Sequence, residues 1–134
     1  MKRIHALMNF AVLALALCLP GCGVKPVSGG TSGLLLSGGE PLCDVQITVH
    51  RINKGELQPV GFGVSTYDGS FELVTNGAKG PLELEAGEYH CTLESVGAPI
   101  VIPGEYLRAD TTPLKLDWKD DGHLKLEVSG IRPE

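Results

Sequence analysis

With 134 residues, of which 43% are hydrophobic, 20% charged and 5% aromatic, the chain is expected to form one ordinary folded domain rather than a disordered or multidomain protein. Eighteen glycines and nine prolines cut it into runs rarely longer than about ten residues, which excludes long helices, coiled coils and collagen-like repeats and predicts short strands joined by tight turns. A formal charge of −5, from 11 basic and 16 acidic residues, offers no clustered Lys and Arg to neutralise phosphates, so no nucleic-acid partner is expected.

The N-terminus reads as an address. Lys2 and Arg3 supply a positive start, and Ala6 to Leu19 is an apolar stretch of about fourteen residues interrupted by Asn9, the form of a secretory h-region. Spanning a bilayer takes roughly 20 apolar residues, and no later segment approaches that length. The stretch ends in Leu19-Pro20-Gly21-Cys22, which resembles the bacterial lipobox, where the cysteine thiol is acylated and the chain is cleaved in front of it. The resemblance implies a signal peptide over residues 1–21 and a lipid anchor on Cys22, a diacylglyceryl thioether plus an amide-linked acyl chain. Several chains together hold firmly, since one myristoyl-sized chain binds at only about 10⁴ M⁻¹. The alternative is an ordinary cleaved signal peptide that leaves Cys22 as an unpaired or disulfide-bonded thiol near the mature N-terminus. Gly23 stands where inner-membrane lipoproteins commonly carry aspartate, which implies the outer membrane.

Residues 22–30 follow as the lipidated cysteine and a Gly/Pro-rich tether, Gly23 to Gly30 reaching about 25 Å at most. The domain is placed at residues 31–134. Strand-like runs come at Leu34 to Leu36, Val45 to Val49, Val60 to Val64, Phe71 to Val74, Leu82 to Leu84, Tyr89 to Leu93, Leu114 to Trp118 and Leu124 to Val128. The last alternates Leu124, Leu126 and Val128 with Lys125 and Glu127, the two-residue period of a half-buried strand. Such strands at short, regular spacing predict an all-β sandwich or barrel. Ser37 to Glu40 ahead of Pro41, and Asp68-Gly69 between Tyr67 and Phe71, carry hairpin-turn chemistry; Asp120, Asp121 and Gly122 predict that the last two strands pair as an antiparallel hairpin.

A family resemblance then emerges. Ser32-Gly33, Gly39, Pro41 and Leu42, followed by Val45, Ile47 and Val49, resemble the S-G-x-V-x-x-x-G-x-P-L opening of bacterial carboxypeptidase-regulatory-like, or transthyretin-like, domains. Ser65 to Phe71 is similar to that family's T-D-x-D-G-x-F turn, Gly87-Glu88-Tyr89 to its G-x-Y strand opening, and Ile102 to Tyr106 with Thr112 and Leu114 to the I-P-x-x-Y…T-x-L segment of small secreted lipoproteins carrying the domain. The resemblance runs from Thr31 to about Val128. It implies a seven-stranded Greek-key β-sandwich of the transthyretin/prealbumin kind.

Chemistry is sparse. Cys43 shares parity with Val45, Ile47 and Val49, and Cys91 with Tyr89 and Leu93, so both are expected to point into the core; in an exported, oxidising setting a Cys43–Cys91 disulfide follows, the alternative being two buried free thiols. His50, His90 and His123 show no H-x-H or H-x-x-x-H spacing, and Asp117 to Val128 fails as a calcium loop because Lys119 and Val128 occupy ligand places, so neither a metal nor a cofactor is expected. No G-x-S-x-G elbow is present, and the C-terminal Y-R-G-S of transthyretin-like hydrolases is missing, so no catalysis is expected. The expected role is a lipid-anchored structural or protein-interaction module of the cell envelope. The alternative is binding of a carbohydrate or other small ligand, with Tyr67 and Tyr106 as the aromatics most open to solvent, set against the preferred reading that both rings pack over the ends of the sandwich. The partners would be the membrane, through the anchor, and an envelope protein or cell-wall polysaccharide.

Overall fold

The computed structural model describes residues 27–120 and 122–134. The expected signal peptide and the lipidation of Cys22 lie outside the described residues, as does Asp121. Within them the fold is all-β. Eleven strands run as β1 (Ser32–Ser37), β2 (Glu40–Pro41), β3 (Val45–Asn53), β4 (Glu56–Val64), β5 (Ser70–Glu72), β6 (Val74–Thr75), β7 (Gly87–Ser95), β8 (Ile100–Val101), β9 (Lys115–Trp118), β10 (Leu124–Val128) and β11 (Arg132–Pro133), with one 3₁₀ turn at Gly104–Leu107.

They form three sheets. The largest has the order β6-β4-β3-β7-β9 and is antiparallel throughout. In the second, β1 pairs in parallel with β10 along one edge, and antiparallel with β5 and β2 along the other. β8 and β11 make a short third sheet. The arrangement is β-sandwich-like: Leu35, Phe71, Leu124, Leu126 and Val128 from the second sheet and Val45, Ile47, Val49, Tyr89, Cys91 and Leu93 from the first belong to one buried cluster.

The alternation that marks β3, β7 and β10 in the sequence is the alternation of burial. Odd-numbered residues of β3 from Val45 to Val49 face the core, as do Leu124, Leu126 and Val128, while Lys125 and Glu127 are exposed. In β1, Leu35 is the inward residue and Leu34 stands on the outer face, with Gly33 left bare because Phe71 fills the space a Cβ would need, at 2.3 Å from its ring. Gly61 plays the same part in β4: a Cβ there would meet the Val74 carbonyl at 2.3 Å, so only glycine lets β6 close on β4.

Two expected hairpins are corrected. β9 and β10 do not pair; β9 is an edge of the five-stranded sheet and β10 joins β1 in the other. Each run buries its alternate apolar residues in the shared core from its own side, so the link through Asp120 and Gly122 turns the corner between sheets. Asp68-Gly69 does likewise, because β4 pairs with β3 and β6 whereas β5 pairs with β1. The Ser37–Glu40 turn is a true hairpin, with Gly38 and Gly39 at φ of 61° and 84°. Leu82–Leu84 is an extended segment rather than a strand. Leu82 donates to the Leu73 carbonyl and accepts from the Thr31 amide. The tether is also engaged before Gly30: the Gly29 amide donates to Glu72, and Gly30 lies where a Cβ would strike the Leu73 carbonyl.

Candidate functional site

The expected disulfide is absent, and Cys43 and Cys91 are both free. Register explains it. Val45 stands opposite Ser95 and Val49 opposite Cys91, so Cys43 projects beyond the far end of β7 while Cys91 lies well inside it. At about 3.3 Å per residue, some six positions separate them by roughly 20 Å, against the Cα separation below about 7 Å that a disulfide requires. Asp44, at φ 58°, also breaks the alternation on which the inward placement of Cys43 depended. Cys91 is sealed in the core, and burial pushes its thiol up to about 12, which leaves it inert as a nucleophile.

The two tyrosines part company. Tyr106 is buried, at 3% exposure, as the packing reading has it. The 3₁₀ turn folds its ring into the core, and its phenol oxygen accepts the Ser129 amide at 3.1 Å. Tyr67 is 88% exposed. It rides on a turn locked from beneath by Asp68, whose Oδ1 accepts the Ser70 amide at 3.1 Å, the Ser70 hydroxyl at 2.6 Å and the Thr66 hydroxyl at 2.7 Å. Those bonds from Ser70 and Thr66 hold the Asp68 carboxyl down to about 2. Gly69 closes the turn at φ 83°, tight against the Leu35 carbonyl. Beside it lies a groove of about 380 Å³ lined by Val27, Ser32, Val64, Thr66, Ser70, Phe71 and Glu72. An exposed ring on a preset turn, next to a groove with hydroxyls, is suited to stacking on a flat ligand at small ordering cost.

A second groove, of about 300 Å³, joins Gly29, Gly30, Thr31 and Ser32 to Glu83, Trp118, Asp120 and Gly122. At its side Ser32 Oγ and His123 Nδ1 are 2.6 Å apart. No sequence spacing announces this pair; the parallel register that sets Gly33 opposite Leu124 creates it. Among the described residues, no carboxylate hydrogen-bonds to the His123 ring, so the pair lacks the third group that orients a catalytic base.

On the outer face of the five-stranded sheet, His50 and His90 are direct cross-strand partners. Both are half-buried. His90 Nδ1 lies 2.7 Å from the Ala109 carbonyl and His50 Nδ1 lies 3.3 Å from the His90 carbonyl. Burial lowers the His50 pKa and favours its neutral form, outweighing the smaller opposing effect of hydrogen bonds to the His90 and Thr48 backbone. Among the described residues no three His, Cys, Asp or Glu side chains converge as a metal cluster, and no helix is long and apolar enough to cross a membrane. Comparison with protein-family models, with curated proteins and with solved structures finds no match to this chain.

Proposed function

We propose that this chain is an exported module held at a membrane by lipid on Cys22, serving a structural or protein-interaction role in the cell envelope without catalysis. The observation that carries the reading is Leu19-Pro20-Gly21-Cys22 at the end of an apolar segment, followed within a few residues by a β domain that is already engaged at Gly29. A short tether keeps such a domain close to its anchor. The ordered motifs from Ser32 to Leu114 support the finer assignment of the sandwich to the Greek-key, transthyretin-like kind. The envelope placement follows from the anchor, with Gly23 favouring the outer membrane. Mass spectrometry of the N-terminal peptide from membranes tests it: the expected result is a chain starting at Cys22 and carrying acyl mass, with Cys22→Ser released from the membrane. An unmodified Cys22 in a soluble mature chain would overturn the reading.

Tyr67 favours a second reading, binding of a carbohydrate at the envelope. Its exposed ring beside the groove of Val64, Thr66 and Ser70 is the observation in support. Titration with cell-wall oligosaccharides, read by chemical-shift changes around Thr66–Ser70, tests it. A flat response across a broad panel would remove it.

A further inference from the structure

We propose that His50 and His90 form a two-imidazole site for a borderline divalent metal ion, Zn²⁺, Cu²⁺ or Ni²⁺, on the outer face of the five-stranded sheet. The residues lie on β3 and β7 directly opposite one another. That opposition sets their Cβ atoms about 5 Å apart, a span that two imidazoles can close around one ion at Zn–N distances near 2.0–2.1 Å. Each ring is already oriented. Nδ1 of His90 is held by the Ala109 carbonyl and Nδ1 of His50 by the His90 carbonyl. A ring that donates Nδ1–H to a carbonyl presents its Nε2 lone pair outward, and that is the outer-shell arrangement by which proteins fix ligating histidines.

The β3–β4 register shifts between Val49 and His50, with the extra residue, Val60, on β4, while β3 keeps an unbroken register with β7 through His50. The surrounding charge is mixed. Glu88 and Asp117 face each other across β7 and β9, two pairs along from His90 and so on the same face, and Lys115 stands across from His90 itself. The ion pairs among the described residues, Arg51–Glu85 and Arg108–Asp110, involve neither carboxylate, so both remain to attract a cation toward this face. Thr48 and Thr92, two pairs along β3 and β7 and so on the same face, bring no charge. With two protein donors, water completes the coordination, and the site binds reversibly rather than holding a structural ion.

The test is titration of the mature protein with Zn²⁺ alone, followed by imidazole ¹⁵N shifts and calorimetry. One ion per chain is expected, with Nε2 of both His50 and His90 shifting, and saturable binding lost in His50→Gln and in His90→Gln. His123→Gln and Cys43→Ser are expected to bind as the parent does. Absence of saturable binding up to millimolar Zn²⁺, survival of binding in His50→Gln, or its loss in Cys43→Ser would each overturn the site. Should His90→Gln fail to fold for want of the Ala109 bond, His50→Gln with the ¹⁵N shifts decides the matter alone.

Discussion

Two kinds of turn in this molecule look alike in sequence and do opposite things. Gly38-Gly39 and Lys54-Gly55 place two consecutive residues at positive φ, 61° and 84° in the first and 54° and 81° in the second, and each folds a strand back on its neighbour in the same sheet. The turns through Asp68-Gly69 and through Asp120 and Gly122 instead pass the chain from the five-stranded sheet to the one built on β1. In the Asp68 turn a single left-handed residue, Gly69, lets backbone bonds from the Gly69 amide to the Thr66 carbonyl and from the Thr66 amide to the Ser70 carbonyl close the loop, and the Asp68 carboxylate fastens it. An Asp-Gly signal therefore specifies a change of direction, while paired left-handed residues specify a hairpin whose twist matches its strands.

The largest effect is expected where the crossing delivers β10 into the core. Leu126→Ala should cost about 2–5 kcal/mol in denaturant unfolding, because Leu126 is 4% exposed and sits opposite Leu35; a loss no larger than that of a surface change would mean that β10 is not the inner wall drawn above. Gly39→Val attacks the hairpin kind, forcing a β-branched residue to a φ of 84°. A loss of about 1–3 kcal/mol is expected, with the core untouched by chemical shift.

Tyr106→Phe removes the phenol that accepts the Ser129 amide, and about 1 kcal/mol should disappear from the melting curve. For the Asp68 turn the prediction is one of pH. Its carboxyl titrates near 2 in the folded chain against an ordinary 3.8, so the stabilisation is complete above the ordinary value and is lost as pH falls through about 2. Amide exchange at Gly69 and Ser70 should quicken over that window, and Asp68→Ala should abolish the pH dependence. Tyr67→Ala is the smallest, within about 0.5 kcal/mol, since the ring is almost wholly in solvent. A larger loss would show that the ring packs against the domain rather than standing clear of it.

What could be read from the sequence followed from local periodicity. β3, β7 and β10 were visible because one face of each is buried and the other wet, and period two records that directly. Tyr67 and Tyr106 look alike in the sequence, each beside turn residues, and only the structure separates them: a Pro/Gly context does not reveal that a 3₁₀ turn carries the Tyr106 ring inward while Tyr67 stands in solvent. The Cys43–Cys91 pairing failed for a different reason. Parity says which face a residue takes, whereas bonding depends on position along the strand, and that depends on register. The same limit hid His50 opposite His90 and Ser32 beside His123. Their sequence separation bears no relation to their spatial distance, which inter-strand pairing sets.

The parallel ladder between β1 and β10 joins the first long strand of the domain to the last. A chain emerging N-terminus first, from ribosome or pore, holds β1 without that neighbour until almost all of the domain has been released. Contacts of such long sequence separation slow folding, because the closure entropy of the whole intervening chain comes before any gain. The fold thus has a built-in delay: synthesis can finish before the sandwich closes, and truncation anywhere before Leu124 leaves the first strand with an open flank.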